Sequence, residues 1–242
     1  MVPFYKTLLG PILLTQARYV RKSTPRLPEA EGERDGSVGA GPDTLRLLVV
    51  GDSSAAGVGV SRQDEALAVP LARRIAELTG RRVQWQLVAR SGVVTHEALD
   101  LVREAALRPA DILVTSLGTN DVTAQHSPSR YVTAYAALVD ELRRRTGFRW
   151  FIANGLPPMH MMPAAPQPLR WYLGRCACRL DTALRRWLEH LPEADYCSLQ
   201  WAQAQDMASD RFHPGPRQYA QWSAELARKI AAKVDATENA AA

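Results

Sequence analysis

Leu47-Leu48-Val49-Val50-Gly51-Asp52-Ser53-Ser54-Ala55-Ala56-Gly57 is the stretch that decides how this chain is read. Four large aliphatic residues in a row mark a strand buried on both faces, because a half-buried strand would alternate with polar residues. The run stops in Gly51-Asp52-Ser53, a small turn-forming triplet that carries a hydroxyl. Ser53 therefore stands at the carboxyl end of a strand, the edge along which open α/β sheets build their sites.

Outward from there the pattern recurs. Leu45–Val50, Val83–Ala89, Ile112–Leu117, Trp150–Ala153 and Asp195–Leu199 read as five strands. Leu67, Leu71, Ile75 and Leu78 recur at helical spacing, with Pro70 placing the helix start near Leu67 and Gly80 ending it. Glu97–Leu107 reads as a short helix closed by Pro109. Ser127-Pro128 is an N-cap followed by proline at the first helical position, ahead of Tyr131, Tyr135, Leu138 and Leu142. Leu180–Leu191 and Tyr219–Val234 complete the helices. Strand followed by helix, five times, predicts an α/β fold: a five-stranded parallel sheet with helices on both faces. Ser23–Asp43 is rich in Pro, Gly and charge and reads as a linker or strap. Residues 1–44 are thus expected to be an N-terminal extension, 45–236 the domain and 237–242 a disordered tail.

The 242 residues are 46% hydrophobic and 23% charged, a globular composition, with a formal net charge of +5 spread along the chain. No concentrated basic stripe with aromatics stands out, which argues against nucleic-acid binding. The three cysteines, Cys176, Cys178 and Cys197, make no disulfide framework, and a cytoplasmic location is expected. Leu8–Leu14 is apolar but interrupted by Gly10 and Pro11, and it is too short to span a bilayer. Arg18, Arg21, Lys22 and Arg26 follow with no acid among them. Two readings stay open: a helix packed on the domain, or a peripheral contact of residues 1–26 with the inner face of the membrane.

A serine hydroxyl needs a base to take its proton, and that base needs an orienting carboxylate. Of the five histidines His213 fits best, with Asp210 three residues before it. A D-x-x-H turn can bring the carboxylate to the ring's second nitrogen. An oxyanion needs donors: Gly92, after the second strand, leaves its backbone accessible, and Asn120, after the third, offers an amide. In a parallel sheet Ser53, Gly92 and Asn120 share one edge. Asp52 and Asp121 read as loop braces. Metal-ligand spacings, G-x-G-x-x-G and G-K-[ST] are missing from the sequence, so no metal or cofactor is expected. Ala55 breaks the G-x-S-x-G pentapeptide of α/β-hydrolases.

Gly51-Asp52-Ser53, Ser91-Gly92, Gly118-Thr119-Asn120-Asp121 and Asp210-Arg211-Phe212-His213, in that order, resemble the four blocks of the SGNH hydrolase superfamily, the GDSL esterases and lipases. The resemblance covers about Leu45 to Val234, and Ser54-Ala55 after the first block is similar to bacterial intracellular branches. It implies a three-layer flavodoxin-like fold, with Ser53 as nucleophile, His213 as base and Asp210 as its partner. The implied oxyanion donors are the Ser53 and Gly92 N–H groups and the Asn120 side chain. Position favours Ser53 over Ser54 as nucleophile.

Leu156–Leu169 follows the fourth strand and is apolar yet too rich in proline for regular structure. Met159, His160, Met161 and Met162 are read as substrate-binding residues, a wall or lid over an acyl groove, with a packed surface loop as the alternative. The expected activity is hydrolysis of short- to medium-chain or lipid-derived acyl esters through an acyl-enzyme. Acyl transfer, thioester or lysophospholipid hydrolysis and carbohydrate deacetylation stay open on the same scaffold, as does a non-catalytic binding protein at a membrane. The expected partner is a small acyl ester; oligomeric state is open.

Overall fold

The computed structural model describes residues 2–241, with side chains from 8 to 236. Its first strands are β1 (Asp35–Val38), β2 (Thr44–Gly51) and β3 (Arg82–Ala89). They are followed by β4 (Ile112–Ser116), β5 (Trp150–Asn154) and β6 (Ala194–Cys197). Their order across one sheet is β1-β3-β2-β4-β5-β6. β2 to β6 pair in parallel, and β1 pairs antiparallel with β3. The sheet therefore has six strands rather than five, and it is not wholly parallel. The sixth lies inside the stretch 1–44 that reads as an extension. Asp35-Gly36-Ser37-Val38 carries no apolar run, so only its backbone pairing with β3 reveals it.

Alternation along each strand feeds two cores. Leu45, Leu47 and Val49 of β2 point to one face, and Leu48 and Val50 to the other. The first face is covered by α2 (Ala68–Thr79) and α7 (Pro216–Ala241), through Leu71, Ile75, Trp222, Leu226 and Ile230. The second is covered by α3 (Thr95–Glu104), α5 (Pro128–Thr146) and α6 (Leu169–Leu188), through Val102, Tyr135, Leu138, Leu180 and Leu184. The helix signals read from sequence act as expected. Gly80 ends α2 with φ +67°, and the Ser127 side chain accepts from the Arg130 N–H to cap α5. The backbone of α7 is helical through Ala241, across most of the stretch read as a disordered tail. Ala242 lies outside the described residues.

A further helix, α1 (Val2–Ser23), packs on α6 through Leu13, which meets Ala165, Leu169 and Tyr172. The chain then runs along residues 24–43 as a strap tied to the domain. Ala30 is buried, and its N–H donates to the Ala56 carbonyl. A Cβ on Gly57 would come within 2.6 Å of Ala30 Cβ, so glycine lets the strap lie against the turn after β2.

The five parallel strands have the doubly wound order in which the first strand sits between the second and third. Connections leave β2 in opposite directions, and the crevice at its carboxyl end is the topological switch point. Ser53 follows β2 there.

Candidate active site

Gly51 closes β2, and the chain turns at once. A Cβ on Gly51 would lie 2.6 Å from the Ser116 carbonyl oxygen, so only glycine allows the turn to hug the end of β4. The Asp52 N–H donates to that same carbonyl at 3.0 Å, and Asp52 Oδ1 accepts from the Ser54 N–H at 3.0 Å. The turn is also pinned from α7: the Tyr219 hydroxyl sits 2.9 Å from the Ser54 carbonyl and 2.8 Å from that of Val58. Ser53 is left partly open at the sheet edge.

His213 arrives on the loop before α7. The loop is closed on itself, with the Ala208 N–H donating to the His213 carbonyl and the Arg211 N–H to that of Ala208, each at 2.9 Å. Arg211 takes φ +60° to make the tight bend. His213 Nε2 is 2.8 Å from Ser53 Oγ, and Nδ1 is 2.5 Å from Asp210 Oδ2. Asp210 is buried, and its Oδ1 accepts the N–H groups of Phe212 and His213 at 3.0 Å. Burial alone would raise the Asp210 carboxyl. Hydrogen bonds from the His213 ring and from those N–H groups outweigh it and hold the group below its ordinary range, hence ionised at neutral pH. An ionised Asp210 fixes the ring proton on Nδ1, which leaves the Nε2 lone pair facing the Ser53 hydroxyl. Gly59 permits this approach, since a Cβ there would stand 2.1 Å from the Pro214 carbonyl oxygen.

The donors expected for an oxyanion sit on the neighbouring strand ends. Gly92 lies in the exposed turn after β3, with φ +84°. No described residue accepts from its N–H, nor from that of Ser53. Asn120 opens a short helix, α4 (Thr119–Thr123), after β4. Its Nδ2 donates to the Val93 carbonyl at 2.9 Å and reaches Asp52 Oδ2 at a loose 3.5 Å. Burial pushes Asp52 up to about 6, opposed by the Ser54 N–H and the charge of His213. Asp121 is fully buried, accepts from the Thr95 N–H and hydroxyl, and faces His126 Nδ1 at 2.8 Å. Both aspartates hold loops.

A cleft opens beside Ser53 and His213. Its walls are mostly apolar: Leu117, Pro157, Met162, Leu199, Trp201, Met207, Phe212 and Trp222. Of the four residues read as a substrate wall, only Met162 reaches it. Met159 is wholly buried in the core, where the helix-covered face of the sheet draws the thioether inward. His160 packs its backbone and Cβ against Gly174 of α6, and Met161 faces outward. The loop is a packed wall, because Leu156, Met159, Met162, Ala165 and Leu169 all bury their side chains.

Reading the sequence missed several residues at the site. Trp201 and Met207 border the cleft, and the signal for them was nearness to the Asp210–His213 block, whose own Phe212 also lines it. Glu29, on the strap, had none. Its Oε1 accepts the Ser91 N–H at 2.6 Å and its Oε2 pairs with Arg34 at 2.5 Å. Arg34 in turn donates to the Ala89 carbonyl at 2.6 Å. The turn that presents Gly92 is thus clamped on both sides by one ion pair. Burial would raise the Glu29 carboxyl, but the Ser91 N–H and Arg34 prevail and lower it.

Residues 49–221 match the model of the GDSL-like lipase/acylhydrolase family. A GDSL-like esterase of Mycobacterium tuberculosis is 28% identical over 172 residues, which cover 66% of this chain and 54% of that protein. This chain therefore spans about half the length of the curated relative it matches. A lipase from a goat rumen metagenome superposes with a TM-score of 0.61 at 19% identity, over 77% of this chain and 97% of that one. A carbohydrate acetylesterase from Sinorhizobium meliloti gives 0.57 at 17% identity, over 78% and 99%. A family two carbohydrate esterase from Clostridium thermocellum gives 0.61 at 16% identity, over 81% and 67%. At such identities the structural likeness speaks for the fold.

Proposed function

We propose that this chain, which belongs to the GDSL-like lipase/acylhydrolase family, is a serine esterase that hydrolyses acyl esters through an acyl-enzyme on Ser53. The observation that carries the reading is the unbroken line of hydrogen bonds from Ser53 Oγ through the His213 ring to the buried Asp210. Ser53 attacks the ester carbonyl while Nε2 takes its proton, and Asp210 steadies the imidazolium. The negative charge that forms on the carbonyl oxygen is met by the Ser53 and Gly92 N–H groups and by the Asn120 amide. Asn120 can turn one hydrogen to the oxyanion because its hold on Asp52 is weak, while its bond to Val93 keeps the amide in place. His213 returns the proton to the leaving alcohol. Water then repeats the sequence and frees the acid.

The apolar cleft supports an acyl chain as the group bound beside Ser53, of short to medium length. Carbohydrate deacetylation is the second reading, supported by carbohydrate acetylesterases among the structures that share the fold. That Cys176, Cys178 and Cys197 form no disulfide fits a reducing compartment such as the cytoplasm. A fluorophosphonate probe together with a p-nitrophenyl ester chain-length series tests the assignment. Ser53→Ala is expected to lose labelling and turnover, and Ser54→Ala to keep both. Loss in Ser54→Ala alone would mean the nucleophile is the other serine. Turnover confined to acetyl esters would favour the deacetylase reading.

A further inference from the structure

Among the described residues no helix is long and apolar enough to cross a membrane. α1 nonetheless has two apolar faces, and the domain covers one. Leu9, Leu13, Gln16 and Val20, at spacings of one helical turn, face α6. Leu8, Ile12 and Tyr19 form a second stripe, and they are 67%, 51% and 66% exposed. Lys22 and Arg18 border that stripe on the side away from α6, Arg21 lies beyond them, and all three are exposed. From Val2 to Ser23 the helix has no acidic residue, so no charge of its own neutralises them.

We propose that the outer face of α1 docks on an anionic lipid surface. An apolar stripe rimmed by cations fits the boundary between acyl chains and acidic headgroups, since each part meets its complement. The same pattern suits a second protein surface poorly, because four large apolar groups on one helix, counting Leu14 at 53% exposed, would be rimmed by unpaired cations. The helix is fixed to the catalytic side of the molecule. Gln16 donates from Nε2 to the Gln167 carbonyl at 2.7 Å and accepts the Leu169 N–H on Oε1 at 3.0 Å. Those residues end the loop whose Pro157 and Met162 wall the cleft. Docking through α1 would therefore hold the cleft wall near the lipid, independently of what Ser53 hydrolyses.

Co-sedimentation of the full chain tests this. Vesicles of equal parts phosphatidylglycerol and phosphatidylcholine are compared with phosphatidylcholine alone. The wild type is expected to partition onto the anionic vesicles, less so as salt is added, and to stay in solution with the neutral ones. Leu8→Glu/Ile12→Glu/Tyr19→Glu and Arg18→Glu/Arg21→Glu/Lys22→Glu should each lower the partition coefficient by about tenfold or more. Ser53→Ala should bind like wild type, which separates docking from catalysis. The salt series on wild type decides the matter even if a charged variant folds poorly. Absent partition onto anionic vesicles, binding indifferent to salt, or wild-type partition of both triple variants would overturn the proposal. So would a dimer in lipid-free solution that Ile12→Glu dissociates, since a second copy would then own the face.

Discussion

Replacing Glu29 with alanine should slow turnover although the residue is remote in sequence from every catalytic block. Its carboxylate receives the Ser91 N–H at 2.6 Å, one residue before the Gly92 N–H expected to face the oxyanion. A hydrogen bond to a charged group contributes about 1.5–3 kcal/mol. The Glu29 side chain is 29% exposed, so solvent competes for it and the lower end, about 1.5 kcal/mol, is appropriate. At 1.36 kcal/mol per tenfold, losing that restraint on the turn lowers kcat by about tenfold. The ceiling is the roughly 10²–10³ that follows full loss of one oxyanion donor. Because the donor acts mainly in the transition state, KM should stay within about twofold. Glu29→Gln keeps an oxygen for Ser91 while giving up the charge opposite Arg34, and it should recover most of the rate. Steady-state hydrolysis of a short-chain p-nitrophenyl ester measures all three proteins. A Glu29→Ala variant with a lower melting temperature and an unchanged kcat would refute the reasoning, as would a Glu29→Gln variant no better than alanine.

Asn120→Ala should lower kcat by about 10²–10³ with little effect on folding, and an undiminished kcat would remove the amide from the mechanism. Asp52 makes stability depend on pH in a definite direction. Burial raises its carboxyl from 3.8 to about 6, so across that window the folded state binds the proton more tightly and stability falls as pH rises. Two units correspond to roughly 3 kcal/mol, so urea unfolding should show Asp52→Asn gaining on wild type by that order as pH climbs through the window. A pH-independent gap would show that Asp52 is not desolvated. Asp210 acts oppositely: its lowered carboxyl contributes stability above the ordinary range and loses it as pH falls. Gly59→Ala should destabilise by about 2 kcal/mol or more and slow fluorophosphonate labelling, because its φ of +110° and the Pro214 carbonyl both oppose a side chain. Unaltered labelling would mean the His213 loop yields without loss.

The inner strands β2, β4 and β5 were legible because burial on both faces writes itself as near-continuous apolar runs, Leu47–Val50 most plainly, whereas β3 and β6 carry shorter runs. β1 was not. Its place is set by backbone pairing at the sheet edge and by the flat fit of Gly36 against the Trp85 indole, where a Cβ would stand 3.1 Å from the ring nitrogen. Neither leaves an apolar period. The first turns of α6, from Leu169, were hidden behind a proline-rich loop, so the sequence marks that helix only from Leu180. Ser53, Gly92, Asn120, Asp210 and His213 could be read because each sits within a few residues of a strand end or inside one short turn. Glu29 could not, since its partner Ser91 is 62 residues away. The thioethers of residues 159–162 misled in part. An adaptable side chain fills a core as readily as it lines a groove, and Met159 and Met162, three residues apart, do one each.

Tyr219 gives the order of assembly a consequence. The turn that carries Ser53 is synthesised early, yet its carbonyls at Ser54 and Val58 find their partner only on α7, and its base lies 160 residues downstream. The face of β2 that carries Leu47 and Val49 is likewise covered by Trp222 and Leu226. A growing chain on the ribosome therefore exposes a bare strand and an unset serine until α7 emerges. The base for Ser53 and the cover for β2 thus arrive together, and a product stopped short of Pro216 would keep the turn unpinned and the strand bare, a substrate for quality control.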